Sequence, residues 1–173
     1  MGATVLVAGL LAGCASNVPQ ALREALPEAP AQAEVHADPE RHVGRTVRWG
    51  GEILGVRNES HFTELELFGR PLYRDGEPRP EGGDGLRFIA RVERFLDPAE
   101  YRPGKRLTVR GPLLAPVTRS VGDYPYRYPV VSAQVYHLWP AYEPPRDYYY
   151  DPWGPWGPWG PWGPYRHWPY WWY

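Results

Sequence analysis

Between His42 and Pro140 apolar and polar residues alternate with a period of two, the pattern of strands that bury one face and wet the other. Val47, Trp49, Gly51 and Ile53 alternate with Thr46, Arg48, Gly50 and Glu52. Thr63, Leu65 and Leu67 alternate with Glu64 and Glu66, and Leu86, Phe88, Ala90 and Val92 with Arg87, Arg91 and Glu93. Leu107, Val109 and Leu113 are interleaved with Thr108 and Arg110, and a fifth run, Pro129 to Trp139, places Val131, Ala133 and Val135 on one face. Trp49, Phe88 and Val109 are therefore expected in the core. Between the third and fourth runs, Asp97 can cap a short helix, Pro98 suits its first position, and Pro103-Gly104 ends it.

Three strands, a short helix, then two strands predict an all-β domain: a small five-stranded OB-like antiparallel barrel, which closes its sheet and hides its edges. A β-sandwich fragment is the competing architecture. Gly50-Gly51 and Gly55 favour the barrel, because glycine lets a long first strand bend sharply enough to serve both halves. The connection from Arg70 to Gly85, dense in Pro, Gly and charge, reads as a mobile surface loop.

The flanks follow different rules. Residues 1–13 end in Leu11-Ala12-Gly13 ahead of Cys14, the one cysteine of the chain, behind an apolar run from Ala3 to Ala12. That run is about half the ~20 residues a spanning helix needs, so it reads as a signal-peptide core closed by a lipobox. Cys14 is the expected site of lipidation, palmitate being among the acyl chains, and the first residue of the mature protein. Nothing basic precedes Arg23, so the true start is expected upstream. Residues 14–40 carry Pro19, Pro27, Pro30 and Pro39 and, from Ala15, one Arg against five acids. Such a segment buries too little apolar surface to order itself and is predicted to be a disordered, flexible tether.

The tail, residues 141–173, holds seven Trp and seven Tyr and is of low complexity. Four Pro-Trp-Gly triplets run from Pro152 to Gly163. A triplet period matches polyproline II and would align Trp153, Trp156, Trp159 and Trp162 along one edge. Such residues settle at membrane interfaces or on sugar rings, so a headgroup layer, an envelope polysaccharide or a protein partner are the candidate contacts. A low-complexity expansion without selected function is the alternative.

Composition narrows the function classes. With 19 basic and 20 acidic residues the chain has no bulk attraction for nucleic acid. His36, His42, His61, His137 and His167 are scattered without ligand spacing, and no nucleophile motif or phosphate loop occurs. No enzyme, metal or cofactor is expected. Glu64 and Glu66 share a strand face, as charges on any solvated sheet face do. If the barrel binds something, the connection between strands four and five is the place. Arg119, Tyr124, Tyr126 and Arg127 gather there around Pro125 as a candidate ligand or partner contact, or as a roof over one open end of the barrel.

The stretch Val43-Gly44-Arg45-Thr46-Val47-Arg48-Trp49-Gly50-Gly51-Glu52-Ile53 is followed by Arg87-Phe88-Ile89-Ala90, Phe95-Leu96-Asp97-Pro98, Tyr126-Arg127-Tyr128-Pro129-Val130-Val131 and Leu138-Trp139-Pro140. Together with the lipobox, this series resembles the Slp family of outer-membrane lipoproteins. The resemblance covers residues 42–140 and leaves the tail outside the family pattern. It implies an envelope lipoprotein linked to starvation and stress, anchored to the outer membrane through Cys14 and facing the periplasm, with no catalytic residues to transfer. The expected role is a structural or binding module of the envelope; the alternative is a periplasmic carrier or sensor with a small apolar or glycan ligand at the barrel mouth. The expected organisation is a signal over 1–13, a tether over 14–40, a barrel over 41–140 and a tail over 141–173.

Overall fold

The computed structural model describes residues 17–143. Two short helices, α1 (Gln20–Arg23) and α2 (Gln32–Ala37), and a 3-10 turn at Glu40–His42 precede the strands β1 (Thr46–Asn58), β2 (Thr63–Arg70), β3 (Arg87–Val92), β4 (Arg106–Val121), β5 (Tyr124–Ser132) and β6 (Val135–Trp139). β1 pairs with β2, β2 with β3, β3 in parallel with β5, β5 with β4, and β4 with β1 again. The ring is closed, as expected of an OB-like barrel.

β1 can serve both halves because Gly50, Gly51 and Glu52 pair with β2 on one side and β4 on the other. The sharing demands close approach. A Cβ on Gly51 would stand 2.2 Å from the Phe68 carbonyl oxygen, so only glycine fits at the crossing. A bulge between Ile53 and Gly55 then lets the strand follow the curve.

The alternation puts the predicted faces inside. Val47, Trp49, Ile53, Leu65, Leu67, Phe88, Ala90, Val92, Leu107, Val109, Leu113 and Val131 form one buried cluster, closed at the barrel ends by Val35, Leu96 and Tyr101. Trp49 meets Phe88 edge to face at 5.3 Å.

Four expectations are corrected. The fifth run is two strands. Between the Leu113–Val131 and Arg110–Val135 pairs, β4 advances three residues and its partner four, which makes Gln134 the extra one. The side-chain phase therefore flips: Tyr136 and Leu138 turn towards the core, while Val135 packs outside against Val18, Leu22 and Trp139. Gly111 permits the close approach at this break: a Cβ there would lie 1.8 Å from the Ser132 carbonyl oxygen.

The helix between β3 and β4 is a single turn. Asp97 Oδ1 accepts from the Ala99 amide at 2.8 Å and the Asp97 carbonyl from Tyr101 at 2.9 Å. Leu96 and Tyr101 are both buried, so the turn is used up in anchoring its two ends before Pro103-Gly104 stops it.

The 70–85 connection is tied down. Leu72 bridges to Pro78, the Tyr73 amide donates to the Glu77 carbonyl at 2.8 Å, and the Gly76 carbonyl accepts from Thr108 Oγ1 at 2.6 Å.

The segment from 18 to 40 is no free tether either, since Leu22 and Val35 are fully buried. Its few apolar groups suffice because the barrel supplies the donors: Arg48 to the Leu22 carbonyl at 2.6 Å, Arg110 to the Ala21 carbonyl at 2.8 Å and Arg45 to the Glu28 carbonyl at 2.7 Å. Charged donors to backbone carbonyls are among the stronger hydrogen bonds.

Candidate functional site

With Thr63, Leu65 and Leu67 turned into the core, β2 must present Glu64 and Glu66 on its outer face. Arg91 stands directly across from Glu64 on β3, and its Nε and Nη2 donate to Glu64 Oε1 at 3.3 and 2.9 Å. The β4–β5 hairpin brings Arg119 onto the other carboxylate oxygen. Glu64 keeps only 3% of its side chain exposed. Burial alone would raise its pKa, but the hydrogen bonds and charges of Arg119 and Arg91 outweigh that and hold the carboxyl below its usual range.

Glu66 serves a second set. Its Oε1 accepts from Arg87 Nη1 at 2.7 Å and from the Tyr128 hydroxyl at 2.8 Å. Burial, and after it the bond to Glu66, pushes the Tyr128 phenol up. The Tyr126 hydroxyl accepts from the Arg87 amide at 2.9 Å, and its ring lies 4.8 Å from Tyr128 and 5.7 Å from His36 of α2. Burial lowers the His36 pKa, opposed in part by a hydrogen bond to the Arg87 backbone. Beneath these groups Ile89, Tyr128 and Val130, with Leu114, Val117, Val121 and Tyr126, form a second apolar cluster outside the barrel proper.

The four residues proposed as a contact surface therefore separate. Arg119 and Tyr126 are engaged in holding the hairpin to β2 and β3. Arg127 pairs with Glu40 of the 3-10 turn. Tyr124, at the hairpin tip, is 68% exposed. Cys14 and Trp153, Trp156, Trp159 and Trp162 lie outside the described residues.

A second polar assembly surrounds the start of β4. Trp139 Nε1 donates to Thr108 Oγ1 at 2.9 Å, and Thr108 Oγ1 in turn donates to the Gly76 carbonyl. Arg106 donates to the Pro78 carbonyl at 2.8 Å, to Glu77 at 2.6 Å and to the Pro140 carbonyl at 3.3 Å. None of these contacts was expected from the sequence; their one visible trace was an Arg or Thr at alternate positions of a strand that otherwise reads as half-buried. Among the described residues, no three His, Cys, Asp or Glu side chains gather as a metal would need. No helix among them is long and apolar enough to cross a membrane.

The sequence profile of the outer membrane lipoprotein Slp family matches residues 11–172. The chain belongs to the Slp family. The match takes in both Cys14 and the tail, so the family pattern extends well beyond residues 42–140 and does not stop at Pro140. The chain is 35% identical over 134 residues to the uncharacterized lipoprotein YeaY of Escherichia coli (strain K12), covering 75% of this chain and 67% of that one. It is 29% identical over 140 residues to the outer membrane protein Slp of the same organism, covering 80% and 74%. Among solved structures it is similar to a small single-stranded DNA-binding protein from Streptomyces coelicolor, with a TM-score of 0.36, 15% identity and coverage of 54% of this chain and 93% of that one. This Slp-family chain is an outer-membrane lipoprotein.

Proposed function

We propose that this Slp-family lipoprotein is a non-catalytic structural or binding module of the envelope. It is anchored through acylated Cys14 on the periplasmic side of the outer membrane, and it works through its outer surface and tail. The observation that carries this reading is the packing: the barrel interior is occupied by one continuous apolar cluster, which leaves the work of recognition to the outside. A carrier would need a chamber inside the barrel mouth, and the clefts beside Ala37 and Arg41 and beside Arg48 and Leu72 are open surface clefts with mixed polar and apolar walls. Nucleic acid is not the partner we propose, because the outer face of β2 and β3 is taken up by Glu64 and Glu66 with their arginines. The tail is assigned to a polysaccharide or protein of the envelope, or to the headgroup layer.

The test is crosslinking in intact cells with three chains: the full protein, a chain ending at Tyr142, and Cys14→Ser. The module reading requires that Cys14→Ser leave the membrane fraction and that the shortened chain lose a defined set of crosslinks. Tight binding of small apolar or glycan ligands to the shortened chain, with displacement of an environment-sensitive dye, would replace it with the carrier.

A further inference from the structure

The chain enters and leaves the barrel on one patch of its outer surface. Val18 and Leu22 pack against Trp139, and Trp139 stands beside Arg106 in the β4–β6 register. Cys14 lies four residues ahead of Val18, and four fully extended residues span at most about 14 Å. An acyl anchor on Cys14 therefore holds this patch at the membrane surface, where a long tether would have left the barrel free to turn.

A cleft of about 300 Å³ opens beside the patch, lined among others by Glu52, Arg70, Arg79, Arg106 and Tyr142. Arg106 is fully engaged, with Glu77 as its counter-charge. Arg70 and Arg79 differ, because neither has an ion pair among the described residues. Arg70 lies 4.7 Å over the Phe68 ring, its Nη1 donates to the Gly82 carbonyl at 3.4 Å, and its Nε is buried without a hydrogen-bond partner among the described residues; Arg79 lies 5.0 Å over Tyr73. Glu52, the one carboxylate in the lining, is likewise unpaired among the described residues. Two guanidiniums and one carboxylate around a small cleft complement a group that carries a phosphate and an ammonium together.

We propose that the Arg70–Arg79–Glu52 cleft is a lipid headgroup site that binds the phosphate and ammonium of a zwitterionic phospholipid in the leaflet holding Cys14, and so fixes which face of the barrel meets the membrane. The assignment rests on the lipoprotein reading above. It adds an orientation and a second, weaker attachment to the acyl anchor.

Two measurements test it. The non-acylated Cys14→Ser chain is titrated with vesicles of phosphatidylethanolamine and phosphatidylglycerol. Arg79→Gln should weaken binding about fivefold, the effect of one basic residue near a charged surface, while Arg57→Gln, at the exposed far end of β1, should change it less than about twofold. Equal losses would mean bulk charge and no site. Competition by soluble glycerophosphoethanolamine as strong as by vesicles would assign the cleft to a free headgroup and overturn the membrane assignment. The second measurement uses the acylated full chain in the same vesicles. Its Cys14 thiol is blocked by lipid, so fluorophores can be placed singly on Glu81→Cys, beside the cleft, and Asp123→Cys, at the hairpin tip. A headgroup nitroxide should quench the first and spare the second. Equal quenching sinks the orientation and leaves the anchor standing, whereas release of the acylated chain from vesicles sinks both.

Discussion

The inside and the outside of the barrel are held by different physics. Inside, Trp49, Phe88, Leu65, Val109 and their neighbours are buried by periodic alternation, and each is one of many interchangeable apolar contacts. Outside, the 18–40 segment, the 71–85 connection and the β4–β5 hairpin have smaller apolar contacts, such as Leu22 with Trp139 and the cluster around Ile89 and Val130, and are fixed in place by polar ones, chiefly arginines reaching a carbonyl or a carboxylate. The interior is non-directional and redundant; the shell is directional, and each bond is specific. Damage should spread in the first and stay local in the second.

The largest effect is expected in the core. Trp49→Ala should destabilise the domain by about 3 to 5 kcal/mol, the cost of truncating a buried aromatic, as read from the denaturant midpoint. An unchanged midpoint would break the comparison at its root.

Glu64→Gln comes next. It strips the counter-charge from Arg91 and Arg119, which keep 26% and 31% of their side chains exposed. The loss should therefore stay at about 2 kcal/mol, below that of a fully buried pair. Its pH dependence sharpens the assignment. The folded carboxyl has a pKa below the 4.5 of an ordinary glutamate, so between the two values the unfolded chain binds the proton and acid favours unfolding. The stabilisation by Glu64 is complete above that unfolded value and disappears as pH falls through the folded one, so wild type and Glu64→Gln should converge in acid. His36, lowered by burial, adds a loss in the same direction that begins as pH falls through 6.5. Parallel stability curves down to acid pH would remove Glu64 from this role.

Arg110→Met tests the shell's local character. One charged hydrogen bond to the Ala21 carbonyl is lost, but repulsion with Arg48 is relieved: that neighbour's pKa is lowered first by burial and then by Arg110. A net cost of about 1 kcal/mol is expected, with protease cutting confined to residues 18–31 and the barrel's near-UV signal retained. Loss of the barrel signal along with the segment would show that shell and core fold as one unit.

The smallest effect belongs to the tail. A chain ending at Tyr142, the last residue of the first compact unit, should match the full protein to within about 0.5 kcal/mol. A greater loss would make the tail part of the shell.

The closed barrel, its core residues, the Gly50-Gly51 crossing and the lipoprotein class were all legible in the chain, because period-two burial, glycine at a close approach and a lipobox are local patterns. What the sequence could not carry was whatever depended on two distant segments meeting. The one-residue phase flip at Gln134 sits where Gly111 and Ser132 come close, a meeting of two separate strands. The ordering of the 18–40 segment follows from donors on β1 and β4, tens of residues away. The fate of Arg119, Tyr126 and Arg127 was decided by Glu64, the Arg87 amide and Glu40, because a polar side chain has no preferred face until a partner within hydrogen-bond reach fixes one. Apolar periodicity is an average over many contacts and survives in the sequence; a single directional bond exists only once the chain has folded.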